Sequence, residues 1–132
     1  MALQRINPDA LAPPSGFSHA VVGAGRVVFL AGQTATDRRG VIVGGSVVEQ
    51  FERALANLLT ALRAAGGEPD RLASLTVYAV DLGGYRAAAR ELGGVWRRLV
   101  GTGYPAMAAV GVTRLWDPAA LVELQGHAVL DG

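Results

Sequence analysis

Cysteine is absent from this sequence, and histidine occurs only twice. Without cysteine the chain has no disulfide, no thiolate metal ligand and no cysteine nucleophile. The two histidines, His19 and His127, are far apart in sequence and do not favour a histidine-based metal site. We therefore expect no metal and no cofactor.

An excess of charge of one sign and long apolar runs are also missing. The formal net charge is +1, which indicates neither nucleic acid nor an anionic membrane as a partner. No uncharged apolar run reaches the roughly 18 residues that a membrane-spanning helix needs. The N-terminus lacks the basic and apolar segments of a signal peptide. The sequence thus predicts a soluble, cytoplasmic protein.

What is present is a composition that suits one folded domain. The chain has 132 residues, of which 51% are hydrophobic and 17% charged, enough for a single core. We predict one domain over residues 1–132. Residues 1–15 are predicted to be irregular because Pro8, Pro13 and Pro14 interrupt regular structure.

The first half of the chain contains predicted strands and one clear helix. Strands at 16–22 and 26–33 are expected to form a hairpin, the second strand being apolar enough for burial on both faces. A short edge strand is expected at 41–43. Ser46 and Glu49 have the spacing of a capping box, which predicts the start of an amphipathic helix.

The second half completes an α+β pattern. A buried strand is expected at 75–80 and a second helix at 85–100, interrupted by Gly93-Gly94. Two strands around a proline turn, within 104–115 and 121–129, are expected to form the last hairpin. The order β-β-(β)-α-β-α-β-β predicts a mixed sheet with two helices on one face.

The last predicted strand carries the best candidate site. Because side chains alternate along a strand, its polar residues share one face, and its apolar residues share the other. The polar residues are Glu123, Gln125 and His127. A carboxylate, an amide and an imidazole in one row indicate a functional face in a mostly apolar chain.

Several segments, in this order, resemble the Rid (YjgF, reactive-intermediate deaminase) family, also labelled endoribonuclease L-PSP-like. They are Gly16-Phe17-Ser18-His19-Ala20, Val28-Phe29-Leu30-Ala31-Gly32-Gln33, Thr76-Val77-Tyr78, Pro105-Ala106-Met107, Val110-Gly111-Val112-Thr113-Arg114-Leu115 and Leu121-Val122-Glu123-Leu124-Gln125-Gly126. The resemblance covers about residues 16–129. It implies a chorismate-mutase-like fold and a homotrimer whose small-molecule pockets lie between subunits. Enzymes of this family hydrolyse imines formed from enamines and release ammonia.

The resemblance also implies a pocket that has lost polar groups. Met107 stands where the family arginine binds the substrate carboxylate, Phe17 stands at a tyrosine position, and Ala89 lies near a position that is often asparagine. Glu123 matches the pocket glutamate, which makes it the expected acid and base. The other implied pocket residues are Ala31, Gly32, Ala109 and His19.

Methionine offers an adaptable apolar wall and no bidentate contact with a carboxylate. Losing such a charged pair costs about 2–5 kcal/mol. We therefore expect altered or lost activity on 2-imino acids.

Three functions remain open. The first is a hydrolase or deaminase acting on a less acidic imine or enamine. The second is a non-catalytic trimer that binds an apolar or aromatic metabolite between subunits. The third and least favoured is an endoribonuclease, because the sequence shows neither a histidine pair of obvious geometry nor a basic, aromatic-rich surface.

The remaining charged residues receive structural interpretations. Arg86, Arg90 and Arg97 recur at helical spacing and are expected to form a solvated face. A lesser alternative is that Arg86 or Arg90 replaces the missing anion-binding group. Arg114 is expected to make a structural ion pair or a loop contact.

Overall fold

The computed structural model describes residues 2–132, and this part of the chain forms six strands and three α-helices. The strands are β1 (Gln4–Ile6), β2 (Ala20–Val22), β3 (Arg26–Gln33), β4 (Leu72–Ala79), β5 (Ala106–Gly111) and β6 (Val122–Leu130). The helices are α1 (Val47–Ala64), α2 (Leu82–Ala87) and α3 (Ala89–Leu99). No helix in residues 2–132 is both long and apolar enough to cross a membrane. The α+β class with a mixed sheet is confirmed.

The main sheet has the strand order β3-β6-β4-β5. β6 pairs antiparallel with β3 and with β4, whereas β4 and β5 run parallel. The parallel pair follows from the helical connection through α2 and α3, since parallel neighbours need a long crossover. β3 and β5 are the two edges of this sheet.

Strand pairing differs from the prediction at both ends of the chain. β2 pairs with β1, in a segment predicted to be irregular, and β3 pairs with β6, so the hairpin predicted from 16–22 and 26–33 is wrong. The last two strands are not a hairpin either, because β4 lies between β5 and β6. Local turn signals led to both errors, since they cannot reveal which distant strand inserts between neighbours in sequence.

β3 is also more exposed than predicted. Phe29 is 78% exposed and Val27 is 53% exposed, so one face of this strand is uncovered in the single chain. The segment 41–43 forms only an isolated bridge, between Thr36 and Ile42, rather than an edge strand. The prediction that β3 is buried on both faces is therefore wrong for the single chain, although its sequence is almost continuously apolar.

α1 forms as the sequence predicts. The Ser46 hydroxyl accepts a hydrogen bond from the Glu49 backbone N–H at 3.1 Å, and the chain leaves the helix through Gly66, at a φ of +97°. Its apolar stripe packs on the sheet as the main core. The buried residues of the stripe are Phe51, Ala54, Leu55, Leu58, Leu59 and Leu62.

The second helical region is split, but not where glycine predicts. Asp81 caps α2 by accepting a hydrogen bond from the Gly84 N–H at 3.0 Å, and the break falls at Ala88. Gly93 and Gly94 lie within α3, which continues through them. Leu92, Val95 and Trp96 are buried, and their packing outweighs the low helix propensity of the two glycines.

A buried amide fixes the start of β6. Gln50, only 2% exposed, donates to the backbone oxygens of Gly44 and Ala119 and accepts from the N–H of Leu121. These three bonds tie α1 to the loop that leads into β6. They hold the chain at Leu121, two residues before Glu123.

Candidate functional site

A cleft of about 410 Å³ lies between the helices α2 and α3 and the edge strand β5. Its walls are mainly apolar and aromatic, with small residues on the helix side. The lining residues are Ser15, Gly16, Phe17, Phe51, Tyr85, Ala89, Arg90, Leu92, Gly93, Trp96, Arg97, Tyr104, Met107, Ala108 and Ala109.

Aromatic stacking builds one wall of the cleft. The rings of Trp96 and Tyr104 stack with centroids 5.4 Å apart and planes 12° apart. The Trp96 indole N–H also donates to the Gly103 carbonyl at 3.1 Å. Since a buried indole needs such a partner, these contacts hold the loop before β5 against α3.

Ser18 brings the 15–17 segment to the cleft. Its hydroxyl donates to the Tyr104 carbonyl at 2.7 Å, and its N–H donates to the Pro105 carbonyl at 2.9 Å. Phe17 is thereby placed on the cleft wall. The ring of His19, by contrast, has its Nε2 2.8 Å from the Ala12 carbonyl oxygen and does not line the cleft.

Met107 faces the helices. It pairs in register with Leu75, a buried residue of β4, and packs against the edge of the core. Ala109, two residues further, also lines the cleft. The structure thus brings together Phe17, Met107 and Ala109, with Ala89 facing them from α3.

Tyr85 places a partly buried phenol in the wall of the cleft. Burial raises the pKa of its phenol to about 12, because the charged phenolate would lose solvation. Its ring meets Phe51 at an angle of 60°, with centroids 6.2 Å apart. The phenol therefore stays protonated at neutral pH and is a potential hydrogen-bond donor.

Glu123 lies on the other face of the sheet. It is opposite Tyr78 in the β4–β6 register, on the face of the sheet away from the buried Val122 and Leu124. It contacts Gly32, where an added Cβ would collide with the Glu123 carboxylate. Of the predicted site residues, Glu123 and Gly32 therefore lie together, but apart from the cleft at Met107.

A bulge in β3 explains why Gly32 and Glu123 meet. Leu30 pairs with Gly126 and Gln33 pairs with Leu124, so β3 contains one extra residue at Ala31 and Gly32. Bulges of this kind redirect side chains and are frequent beside active sites. The sequence contained no clear signal for this bulge beyond the glycine itself.

The rest of the polar row makes local contacts on the same face. The Nδ1 of His127 is 2.8 Å from the Ser74 hydroxyl, and its ring meets Phe29 edge-on, with centroids 5.4 Å apart. The Tyr78 hydroxyl donates to Gln125 Oε1 at 3.5 Å. Among the described residues, Arg114 donates to the neighbouring Leu115 carbonyl, at 3.4 Å. Within residues 2–132, no three His, Asp or Glu side chains form a group that could hold a metal ion.

Sequence reasoning overlooked part of the cleft. The cleft is also lined by Tyr85, Gly93, Trp96 and Tyr104, for which the sequence predicts only helix or strand and no binding role. The four-residue spacing of Leu92 and Trp96 indicates a buried helix face, but spacing alone does not show a cleft above it.

The fold and cleft define a class of α+β proteins with a mixed sheet, helices on one face and a ligand-sized cleft beside an edge strand. Residues 7–130 match the family model described as Endoribonuclease L-PSP. The chain belongs to this family, which includes the Rid (YjgF) proteins.

Similar proteins agree with this assignment. A crystal structure of a Rid family protein of unknown function from Yersinia pestis, YyfB, has a TM-score of 0.89 and 34% identity, covering 98% of this chain and all of that one. A RutC family protein from Pyrococcus abyssi is 30% identical over 97% of this chain and 98% of its own length. A 2-iminobutanoate/2-iminopropanoate deaminase from Capra hircus is 31% identical over 92% of this chain and 83% of its own length.

Proposed function

We propose that this protein is a small-molecule pocket protein of the imine-deaminase type whose substrate is not a small 2-imino acid. The reaction is hydrolysis of a C=N bond: water adds to the imine carbon, and ammonia leaves. Glu123 moves the protons, and the cleft at Met107 holds the apolar part of the substrate.

The observation that carries this proposal is the convergence of Phe17, Ala89 and Met107 on one cleft. By the resemblance, Phe17 and Met107 stand at positions where the deaminases carry a polar group, and Ala89 lies near a position that is often asparagine. All three residues are apolar here. Unrelated substitutions would not be expected to fall on three separate segments of the chain that border the same cleft. A changed ligand accounts for all three replacements together.

The assembly in this function is the homotrimer that the resemblance implies, and it would complete a site whose two halves lie on opposite faces of one sheet. Met107 is on the edge strand β5, whereas Gly32 is on the other edge, β3, and Glu123 is on the adjoining strand β6. Placing β5 of one subunit beside β3 of the next would bring the cleft close to a neighbour's Glu123. The exposed Phe29 and Val27 on β3 support such an interface.

The separation of Glu123 from the cleft in the single chain also favours a second function. If no neighbouring subunit brings Glu123 to the cleft, the cleft contains no carboxylate from the described residues. The protein would then be a non-catalytic binder of an apolar or aromatic metabolite. Ligand binding without turnover distinguishes this function from the first. The cytoplasmic location expected from the sequence remains a prediction.

The test is an ammonia-release assay with imines generated enzymatically from acidic, neutral and aromatic precursors. We expect turnover of neutral or aromatic imines, little turnover of 2-iminopropanoate, and loss of activity in Glu123→Gln. The matched control is Gln125→Asn, a change in the next outward-facing residue of β6. Turnover that survives Glu123→Gln would contradict the assigned role, and absence of turnover on every imine would leave the binding function.

A further inference from the structure

Two arginines line the cleft from the helix side. Arg90 and Arg97 of α3 are both among its lining residues, whereas Arg86 is not. Within residues 2–132 neither side chain has a hydrogen bond or an ion pair with another group, in contrast to Arg98, whose Nη2 is 2.7 Å from the Glu52 carboxylate. No Asp or Glu of the described chain lines the cleft.

The two guanidinium groups are directed to the same space. Arg90 and Arg97 are seven residues apart, which is close to two helical turns and places them on one face. The Nη1 of Arg97 is 3.5 Å from the point that a Cβ at Gly93 would occupy. Arg97 therefore extends back along α3 towards Arg90, over the gap that Gly93 leaves.

We propose that Arg90 and Arg97 bind the anionic group of an amphipathic ligand whose apolar body lies against Phe17, Tyr104 and Met107. The anion-binding role that position 107 has lost is thus moved to the opposite wall of the cleft. This inference uses the same cleft as the proposed function and names its ligand class: an aromatic or branched aliphatic carboxylate whose charge is distant from the reacting carbon.

The chemistry of the cleft supports this ligand class. A guanidinium presents several N–H donors and matches a carboxylate in a planar, charge-assisted pair. Unpaired guanidinium groups beside an apolar wall favour a ligand that has both an anionic group and an apolar body. A small 2-imino acid has its carboxylate on the imine carbon itself, so it has no apolar body between its charge and the reacting bond.

The experiment is calorimetric titration of the intact protein with 3-phenylpropanoate and with its uncharged analogue 3-phenylpropanamide. Neither probe has a C=N bond, so the result does not depend on catalysis. We expect the carboxylate to bind about tenfold more tightly than the amide. Added salt should weaken the binding of the carboxylate but not the binding of the amide.

Variants assign the effect to particular residues. Arg90→Gln and Arg97→Gln should each remove most of the preference for the carboxylate, and Arg97→Lys should keep part of it. Arg86→Gln makes the same charge change outside the cleft and should have no effect. All of these side chains are exposed, so the variants should fold, which circular dichroism will confirm.

Three outcomes would overturn the inference. They are equal binding of both probes, a preference unchanged in the double variant Arg90→Gln/Arg97→Gln, and no binding of either probe at millimolar concentration. A fourth is a change in oligomeric state in that double variant, which would assign the arginines to a subunit contact. None of these results depends on the Glu123→Gln assay, so failure of the ligand class and failure of the reaction are distinguishable.

Discussion

The carboxylate of Glu123 occupies the space that a side chain at Gly32 would need. The contact crosses from β6 to the bulge in β3, so the position of the carboxylate depends on a glycine in the neighbouring strand. Since the atom in the way is the end of a flexible side chain, a methyl group at residue 32 should displace the carboxylate without unfolding the protein.

Gly32→Ala should therefore reduce Glu123-dependent turnover almost as strongly as Glu123→Gln, while the melting temperature changes little. The physical reason is that misplacing a catalytic group by about 1 Å is enough to cost on the order of a hundredfold in rate. Ammonia release and thermal unfolding measured on the same preparations test this prediction. Full activity in Gly32→Ala would show that the contact does not position the reacting carboxylate.

Met107→Arg should restore binding of small 2-imino acids. A guanidinium at position 107 can form the bidentate carboxylate pair that methionine cannot, which is worth at least about 2 kcal/mol, or roughly 30-fold in kcat/KM. The assay is turnover of 2-iminopropanoate, with Met107→Leu as the control for altered packing. A folded Met107→Arg protein that gains no more than Met107→Leu would contradict the idea that residue 107 controls the substrate charge.

Local patterns predicted most elements but not their pairing. Capping at Ser46 and the apolar stripe of α1 depend on residues within a few turns, so the sequence contains the whole signal. The insertion of β4 between β5 and β6 depends on the crossover through α2 and α3, and no local pattern records it. The uncovered face of β3 was missed for a related reason, because apolar composition does not show what covers a strand.

The sequence predicts which residues of the candidate site share a face, but not how the parts of the site are arranged in space. Alternation along β6 correctly placed Glu123, Gln125 and His127 on one face. It did not show that Met107 faces the opposite side, because this depends on the parallel register with Leu75. The position of Arg90 and Arg97 beside the cleft was also hidden, since helical spacing shows that arginines share a face but not what that face borders.

Phe29→Asp should dissociate the proposed trimer. The ring is 78% exposed on an edge strand of the single chain, so a charge there should cost little in the monomer and much in an interface. Light scattering coupled to size exclusion measures the change. Val41→Asp is the control, because Val41 is also exposed, at 52%, but lies outside the strands. A trimeric Phe29→Asp protein, or a wild-type protein that is monomeric, would contradict the proposed assembly.

Stability should fall between about pH 10 and pH 12 because of Tyr85. Its pKa is about 12 in the folded protein, against 10.0 for an ordinary phenol, so the unfolded chain releases this proton first as the pH rises. The stabilisation is fully present below pH 10 and is lost as the pH rises towards 12. It is at most about 3 kcal/mol, and partial exposure of the ring reduces it.

This effect can be isolated because the chain contains no lysine or cysteine, and arginine stays protonated in this range. In denaturant unfolding measured from pH 8 to pH 12, the free energy of unfolding of the wild type should fall more steeply with rising pH than that of Tyr85→Phe. Tyr78→Phe serves as the control for a phenol outside the cleft. Parallel curves for wild type and Tyr85→Phe would show that the buried phenol does not control the alkaline loss of stability.

Substitutions at Gly93 and Gly94 should distinguish effects on the stability of α3 from effects on ligand binding. Both lie inside α3, so replacing either with alanine should stabilise the protein by about 1 kcal/mol. Only Gly93 lines the cleft, and a Cβ at Gly94 would meet no atom within 4 Å. Gly93→Leu should therefore fill the cleft and abolish binding of 3-phenylpropanoate, whereas Gly94→Leu should bind it as the wild type does. Chemical denaturation and calorimetric titration of the four variants test both expectations, and equal binding by the two leucine variants would mean that the ligand does not occupy the space between α3 and β5.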